Sequence, residues 1–237
     1  MECICRIDAD IGDKGVRMLD LNTTLHLDML TKSKRRRNLV RRTFKALKRE
    51  WSYGGIYGLE WGDPDTVEPL RFIRDRYVLP YVNAEQCAVE IGPGGGRWTR
   101  YMLGFRRLYV VDYYGDLLEE VKKHVRKPNI EFIKNNGTDF PGIGDRSVNY
   151  LFSFGTFVHL DEHVIQTYLS NMKRILKAGA NVVIHYSDKT KVMAQINEGF
   201  AENTPGKMRS MVSEAGYEIC EEDLTTMWHS SIIRFTI

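Results

Sequence analysis

From Cys87 to the C-terminus, short apolar runs alternate with stretches whose apolar residues recur three or four positions apart. The runs "CAVEI", "LYVVD", "IEFIK", "VNYLFSF" and "NVVIHYS" predict strands. Between and after them, "RWTRYMLG", "GDLLEEVKKHVR", "DEHVIQTYLSNMKRILKAG" and "GKMRSMVSEAG" predict helices. Such alternation builds an α/β fold, a mostly parallel sheet with helices on both faces. The last two runs, "YEICEEDL" and "SSIIRFTI", leave no room for a crossover helix and predict an antiparallel hairpin, bringing the sheet to seven strands.

Upstream the pattern is less regular. "CICRIDADIGDKGVRMLDL" reads as a hairpin turning at Gly12 to Gly15, and "WSYGGIYGLEWGDPDTVEPL" as a structured loop. Between them "KSKRRRNLVRRTFKALKR", Lys32 to Arg49, holds ten Lys or Arg and no acid, with Leu39, Val40, Phe44, Leu47 and Trp51 at helical spacing. "TVEPLRFIRDRYVLPYV" predicts a helix ending near Pro80. The chain divides into an N-terminal extension over 1–80, with a basic helix and an aromatic loop, and an α/β domain over 81–237.

Taking that basic run from the net charge of +3 leaves −7 for the remainder. A local basic patch attracts anionic surfaces, whether phosphates, acidic glycans or a membrane face, although a solvated helix face explains it equally. No base-stacking aromatics accompany it, so no nucleic-acid partner is expected. No run of 18 apolar residues and no basic-then-apolar leader is visible, and Cys3, Cys5, Cys87 and Cys220 are scattered. A cytoplasmic protein is expected, with homo-oligomerisation left open.

The stretch "CAVEIGPGGGRWTRYM" places Gly92, Gly94, Gly95 and Gly96 directly after the first strand. So much bare backbone implies a close approach to the main chain. In a doubly wound sheet, ligands bind at the carboxyl ends of the strands, where this loop lies. The dinucleotide pattern G-x-G-x-x-G is not completed, because Arg97 stands where its third glycine belongs. Asp112 ends the second strand 20 residues after Gly92, where a carboxylate accepts ribose hydroxyls. Glu90 inside the first strand would repel a pyrophosphate but suits a phosphate-free cofactor with a positive centre, such as S-adenosylmethionine.

The segments "VEIGPGGGRWTRYM", "LYVVD", "FIKNNGTDF", "RSVNYLFSFGTFVHL" and "RILKAGANVVIHYSD" resemble, in order and spacing, the successive motifs of class I S-adenosylmethionine-dependent methyltransferases. The forms "IGPGGGRWT", "FSFGTFVH" and "IHYSD" are similar to the branch that methylates sugars in glycans and glycosides. The resemblance implies a Rossmann-like fold in which Glu90, Gly92, Gly94 and Gly96 receive the methionine part of the cofactor. Arg97 and Trp98 lie beside them, although Trp98 serves equally as core packing. It further implies that Asp112 holds the ribose, Tyr113, Asn136 and Gly137 border the adenine, and Phe154 flanks the cofactor. Asn149, where the family commonly has Asp, and "KAGANVVI", in place of K-P-G-G, are departures.

Methyl transfer to a hydroxyl needs a positioned acceptor and a base. His159, after the fourth strand, is the candidate base, and Asp161 either orients it or caps the following helix. His185 and Tyr186, at the end of the fifth strand, are candidate substrate contacts, though His185 sits equally well buried. Tyr57 and Trp61 are aromatic faces for a sugar ring, or a staple docking the extension. Asp161, His185 and Asp188 offer hard ligands, which makes Mg2+ conceivable, but their spacing defines no metal motif. His163 and His229 are expected at the surface. The expected activity is O-methylation of a sugar or small-molecule hydroxyl. The alternatives are an N- or carboxyl-methyltransferase, or a non-catalytic module binding anionic surfaces through Lys32 to Arg49.

Overall fold

A computed structural model of the chain describes residues 58–237. The hairpin at 1–31, the basic helix and Tyr57 lie outside the described residues. Among the described residues, seven strands form one sheet in the order β3-β2-β1-β4-β5-β7-β6. They are β1 (Cys87–Ile91), β2 (Arg107–Asp112), β3 (Ile130–Lys134), β4 (Val148–Ser153), β5 (Leu176–Ser187), β6 (Glu218–Asp223) and β7 (Ser230–Thr236). Neighbours from β3 to β5 pair in parallel, while β7 runs antiparallel to both β5 and β6. The strand order reverses between β1 and β4, so a crevice opens at the carboxyl ends of β1 and β4.

Strand alternation divides the core between the two faces. Val89, Ile91, Val111, Leu151, Val182 and Ile184 join the cluster under α3 (Glu162–Ile175) and α5 (Pro205–Glu214), which the short α4 (Val192–Gln195) separates along the chain. Ala88, Leu108, Val110, Phe152 and Val183 join the opposite cluster with Trp98, Met102, Phe105 and helix α1 (Glu68–Ile73). In α3, Val164, Ile165, Tyr168, Leu169, Met172 and Ile175 are buried, the spacing of a single apolar stripe. Helix α1 continues through a π-turn, Arg74–Val78, and a 3-10 turn, Leu79–Tyr81. The helical run predicted to end near Pro80 therefore exists, and Leu70, Ile73, Tyr77 and Val78 pack it against the sheet.

The α-helix predicted after β1 does not form. Only the 3-10 turn Thr99–Tyr101 appears, and α2 (Gly115–His124) is the first α-helix after the glycine loop. Trp98, Met102 and Phe105 do have helical spacing, and all three are buried. The run between them contains β-branched Thr99, aromatic Tyr101 and Gly104, poor helix formers that sustain only one turn here. The expected turn at "KAGA" is absorbed into β5. Gly179 takes φ 75° there, and the β4–β5 register shifts between Val148 and Tyr150. Asn149, the departure in β4, accepts a 3.2 Å hydrogen bond from the Cys87 amide, joining the starts of two strands. A polar cleft lined by Gln86, Asn149 and Asn181 lies at this amino edge, away from the glycine loop. Among the described residues no helix is long and apolar enough to cross a membrane.

Candidate active site

The glycine loop takes left-handed backbone at Gly92, Gly94 and Gly96, with φ of 70°, 58° and 93°. At two of these positions the close approach comes from the protein itself. A Cβ on Gly92 would stand 1.8 Å from Thr156 Oγ1, and one on Gly96 would stand 3.3 Å from Val121 of α2. Thr156 follows β4, so Gly92 lets the two strand ends converge where the crevice begins.

Glu90 and Asp112 are both buried beneath this loop. Thr99 Oγ1 donates a 2.6 Å hydrogen bond to Glu90 Oε2. Burial nevertheless pushes the Glu90 carboxyl up to about 7, with Asp112 adding to the rise. Asp112 Oδ1 accepts from the Tyr114 amide at 2.8 Å, and burial raises this carboxyl to about 7 as well. Two buried acids below a loop of left-handed glycines form a compartment that favours a cationic or hydroxyl-bearing ligand.

Tyr113 packs edge-on against Tyr114, their ring centroids 5.0 Å apart, and Gly137 is left-handed at φ 104°. Of the asparagine pair after β3, Asn136 is exposed and its Oδ1 accepts from the amides of Thr138 and Asp139. Asn135, passed over in the sequence, is the buried one. Its Nδ2 donates to the Asp139 carbonyl and to Tyr168 Oη, while its Oδ1 accepts from the Gly137 amide. The pair shapes the turn, and Asn135 anchors it to α3.

On the other side of the loop, Arg97 Nη1 donates to the carbonyls of Gly58, at 2.8 Å, and Gly62, at 3.2 Å. Arg100 pairs with Asp63. The segment carrying Trp61 is thus fastened to the residues just after the glycines, and Trp61 itself is exposed. The Arg97 guanidinium also lies over the Phe154 ring, 5.4 Å from its centroid. Trp98 packs against Phe154 at 4.7 Å, and its buried Nε1 has no hydrogen-bond partner.

Phe154 stacks on His185 with centroids 3.9 Å apart and rings 7° from parallel. His185 Nδ1 accepts from the Gly155 amide at 3.1 Å, so Nε2 carries the hydrogen and meets Ser230 Oγ at 2.5 Å. Burial holds the His185 pKa well below the ordinary histidine value, so the ring is neutral. Strand alternation separates it from its neighbour. Tyr186 points into the core on the other face, beneath α3 and α5, and its buried hydroxyl has no hydrogen-bond partner.

His159 ends the 3-10 turn Phe157–His159 and is exposed at the carboxyl edge. Its Nδ1 lies 2.8 Å from the Gly199 carbonyl oxygen. A carbonyl only accepts, so Nδ1 holds the hydrogen and Nε2 bears the lone pair. Asp161 stands at the N-cap of α3, where its backbone carbonyl accepts from Val164 and Ile165. The Gly199 carbonyl is one contact that orients His159.

His163 is exposed as expected, but His229 is not a surface residue. It is half-buried against His185, ring centroids 6.3 Å apart, and against Phe200 at 5.3 Å. No sequence signal marked it, because it sits in a loop between two edge strands. Among the described residues no group of three or more His, Cys, Asp or Glu side chains is placed to hold a metal ion.

No curated protein matches the chain. Solved structures share its fold at low identity. An S-adenosylmethionine-dependent methyltransferase from Mesorhizobium loti superimposes with TM-score 0.62 at 12% identity, covering 73% of this chain and 100% of its own. A TehB-like S-adenosylmethionine-dependent methyltransferase from Corynebacterium glutamicum gives 0.58 at 17%, covering 81% and 96%. Geranyl diphosphate C-methyltransferase from Streptomyces coelicolor, solved with Mg2+, geranyl diphosphate and S-adenosyl-L-homocysteine, gives 0.59 at 13%, covering 71% and 80%. Residues 88–179 match the model of a methyltransferase domain family. That match covers less than half of the chain, and the sheet order and switch-point crevice agree with the fold shared by those methyltransferase structures.

Proposed function

We propose that the protein transfers a methyl group from S-adenosylmethionine to a hydroxyl of a sugar or glycoside in the cytoplasm, with His159 as general base. The observation that carries this reading is the His159 Nδ1 to Gly199 carbonyl hydrogen bond, which leaves the basic lone pair on Nε2 at the carboxyl edge of β4. A base so fixed is required for a hydroxyl acceptor and dispensable for an amine or a carboxylate.

The residues around the glycine loop suit the cofactor. Glu90 and Asp112 are buried acids that an ammonium and a pair of ribose hydroxyls would return to the ionised state. Trp98 Nε1 is a buried donor without a partner. Gly92, Gly94 and Gly96 shape the backbone beside them, Tyr113, Asn136 and Gly137 border the adenine compartment, and Phe154 walls the crevice. When bound, the cofactor supplies a methyl group already activated on a sulfonium. The chain's own residues hold the acceptor, exclude water and take up its proton at His159 Nε2. Trp61, on the segment that Arg97 fastens, offers an aromatic surface at the mouth.

The test is methyl transfer from labelled donor to a panel of methyl and nitrophenyl glycosides, comparing wild type with His159→Ala. The expected result is transfer to a glycoside by wild type and a loss of roughly 10²–10⁴ in kcat in the variant. Retention of most activity by His159→Ala would remove the base and point to a nitrogen or carboxylate acceptor.

A further inference from the structure

His229 lies in the loop between β6 and β7, directly before Ser230, the residue that meets His185 Nε2. Its ring stands edge-on to His185 at 71° and to Phe200 at 72°, and Phe200 stands edge-on to His159, with centroids 5.7 Å apart. Phe154, His185, His229, Phe200 and His159 therefore form one continuous wall near the carboxyl ends of β4 and β5.

Within that wall, both ring nitrogens of His185 are engaged. His229 Nδ1 is buried and has no hydrogen-bond partner. Leaving such an atom unmatched is unfavourable, a cost that disappears when a ligand provides the match. Lys191, the cation acting on His229, is already directed elsewhere. Its Nζ donates to the carbonyls of Met227 at 2.8 Å and Ser230 at 2.6 Å, and it stands 3.8 Å from Asp188. Burial and Lys191 hold the His229 pKa below the ordinary histidine value, as burial does for His185. The neutral His229 imidazole offers a directional hydrogen bond and little charge beside the neutral His185 ring, a surface suited to hydroxyls more than to a phosphate or a carboxylate.

We propose that His229 is an acceptor-binding residue whose Nδ1 hydrogen-bonds a hydroxyl of an uncharged, hydroxylated acceptor, on the same wall as His159. The inference rests on the hydroxyl-acceptor reading above and names the group that selects the acceptor's orientation.

Methyl glucoside, galactoside, rhamnoside and N-acetylglucosaminide serve as probes, titrated calorimetrically into the full chain saturated with S-adenosyl-L-homocysteine. His229→Phe keeps the ring without its nitrogens, and His229→Asn keeps a polar atom near the Nδ1 position. The expected result is binding of at least one glycoside to wild type, weakened about tenfold or more by His229→Phe and largely restored by His229→Asn. Affinity for S-adenosyl-L-homocysteine should stay within about twofold in both variants, which also reports that they fold. Nitrogen-detected imidazole spectra of histidine-labelled wild type should show the His229 Nδ1 resonance moving on glycoside addition, independently of any variant. Equal glycoside affinity in wild type and His229→Phe overturns the proposal while the methyltransferase reading stands. Binding of inorganic phosphate in place of every glycoside, or of none of these probes, overturns it as well. Failure of S-adenosyl-L-homocysteine itself to bind would instead strike the methyltransferase reading.

Discussion

Thr99 donates its hydroxyl to Glu90 across the glycine loop, a 2.6 Å hydrogen bond between residues nine positions apart. The bond stabilises the ionised carboxylate, yet burial outweighs it and leaves Glu90 at about 7. An acid whose folded pKa lies above its unfolded value binds a proton in the native state that the unfolded chain has released. Stability should therefore fall as pH rises from about 4.5 to about 7, because the charged form must be buried. Glu90→Gln should lessen that fall and stabilise the free protein at pH 8 by about 1–3 kcal/mol, with little effect at pH 4.5. Urea unfolding at the two pH values reads this directly, and identical pH profiles for variant and wild type would refute it.

Asp112 carries the same signature at the end of β2 and is expected to receive ribose hydroxyls. Ligand binding that favours the ionised forms of Asp112 and Glu90 should strengthen with pH. Calorimetric affinity for S-adenosylmethionine is expected to rise about tenfold between pH 6 and pH 8. Asp112→Asn should weaken binding at pH 8 by about a hundredfold and flatten the profile. Unchanged binding in this variant would remove Asp112 from the cofactor site.

Gly92 faces Thr156 so closely that no side chain fits between them. Gly92→Ala combines left-handed strain with overpacking and should destabilise the fold by about 2–4 kcal/mol. Adding Thr156→Ala removes the nearest atom, Oγ1, and should recover part of the loss, whereas independent sites would show additive costs. A double-mutant cycle measured by thermal unfolding separates the two outcomes.

Tyr186 was a candidate substrate contact from its place beside His185, and the strand turns it into the opposite core with an unmatched hydroxyl. Tyr186→Phe should leave stability unchanged or raise it by about 1 kcal/mol, since only a buried unsatisfied group is removed. It should leave the KM for any methylated glycoside unchanged. A severalfold rise in KM would show that the hydroxyl reaches the acceptor after all.

Most of the sheet was legible because each strand is a local apolar run, and burial on both faces leaves few polar residues to interrupt it. The helix expected after β1 does not form, because Trp98, Met102 and Phe105 satisfy helical spacing from a run that holds only a 3-10 turn. Periodicity records which residues are buried and does not distinguish the backbone path that buries them. In the asparagine pair, Asn136 was chosen over Asn135, a choice that depends on which amide meets Tyr168, 33 residues away.

The sequence by itself determined the succession of the strands, the bare glycine backbone after the first of them, and the arrival of Glu90 and Asp112 near one another at the strand ends. These follow from residue chemistry acting over a few positions: apolar periodicity, glycine's freedom at positive φ, and the short distance from strand to loop. Only the tertiary structure decided the partners that give the histidines their roles. Gly199 fixes the tautomer of His159, Ser230 meets His185, and Phe200 and His185 cover His229. A hydrogen bond or a desolvated ring depends on atoms brought together from segments 40 or more residues apart, as in the His159–Gly199 and His185–Ser230 pairs. Local pattern holds no record of which segments will meet.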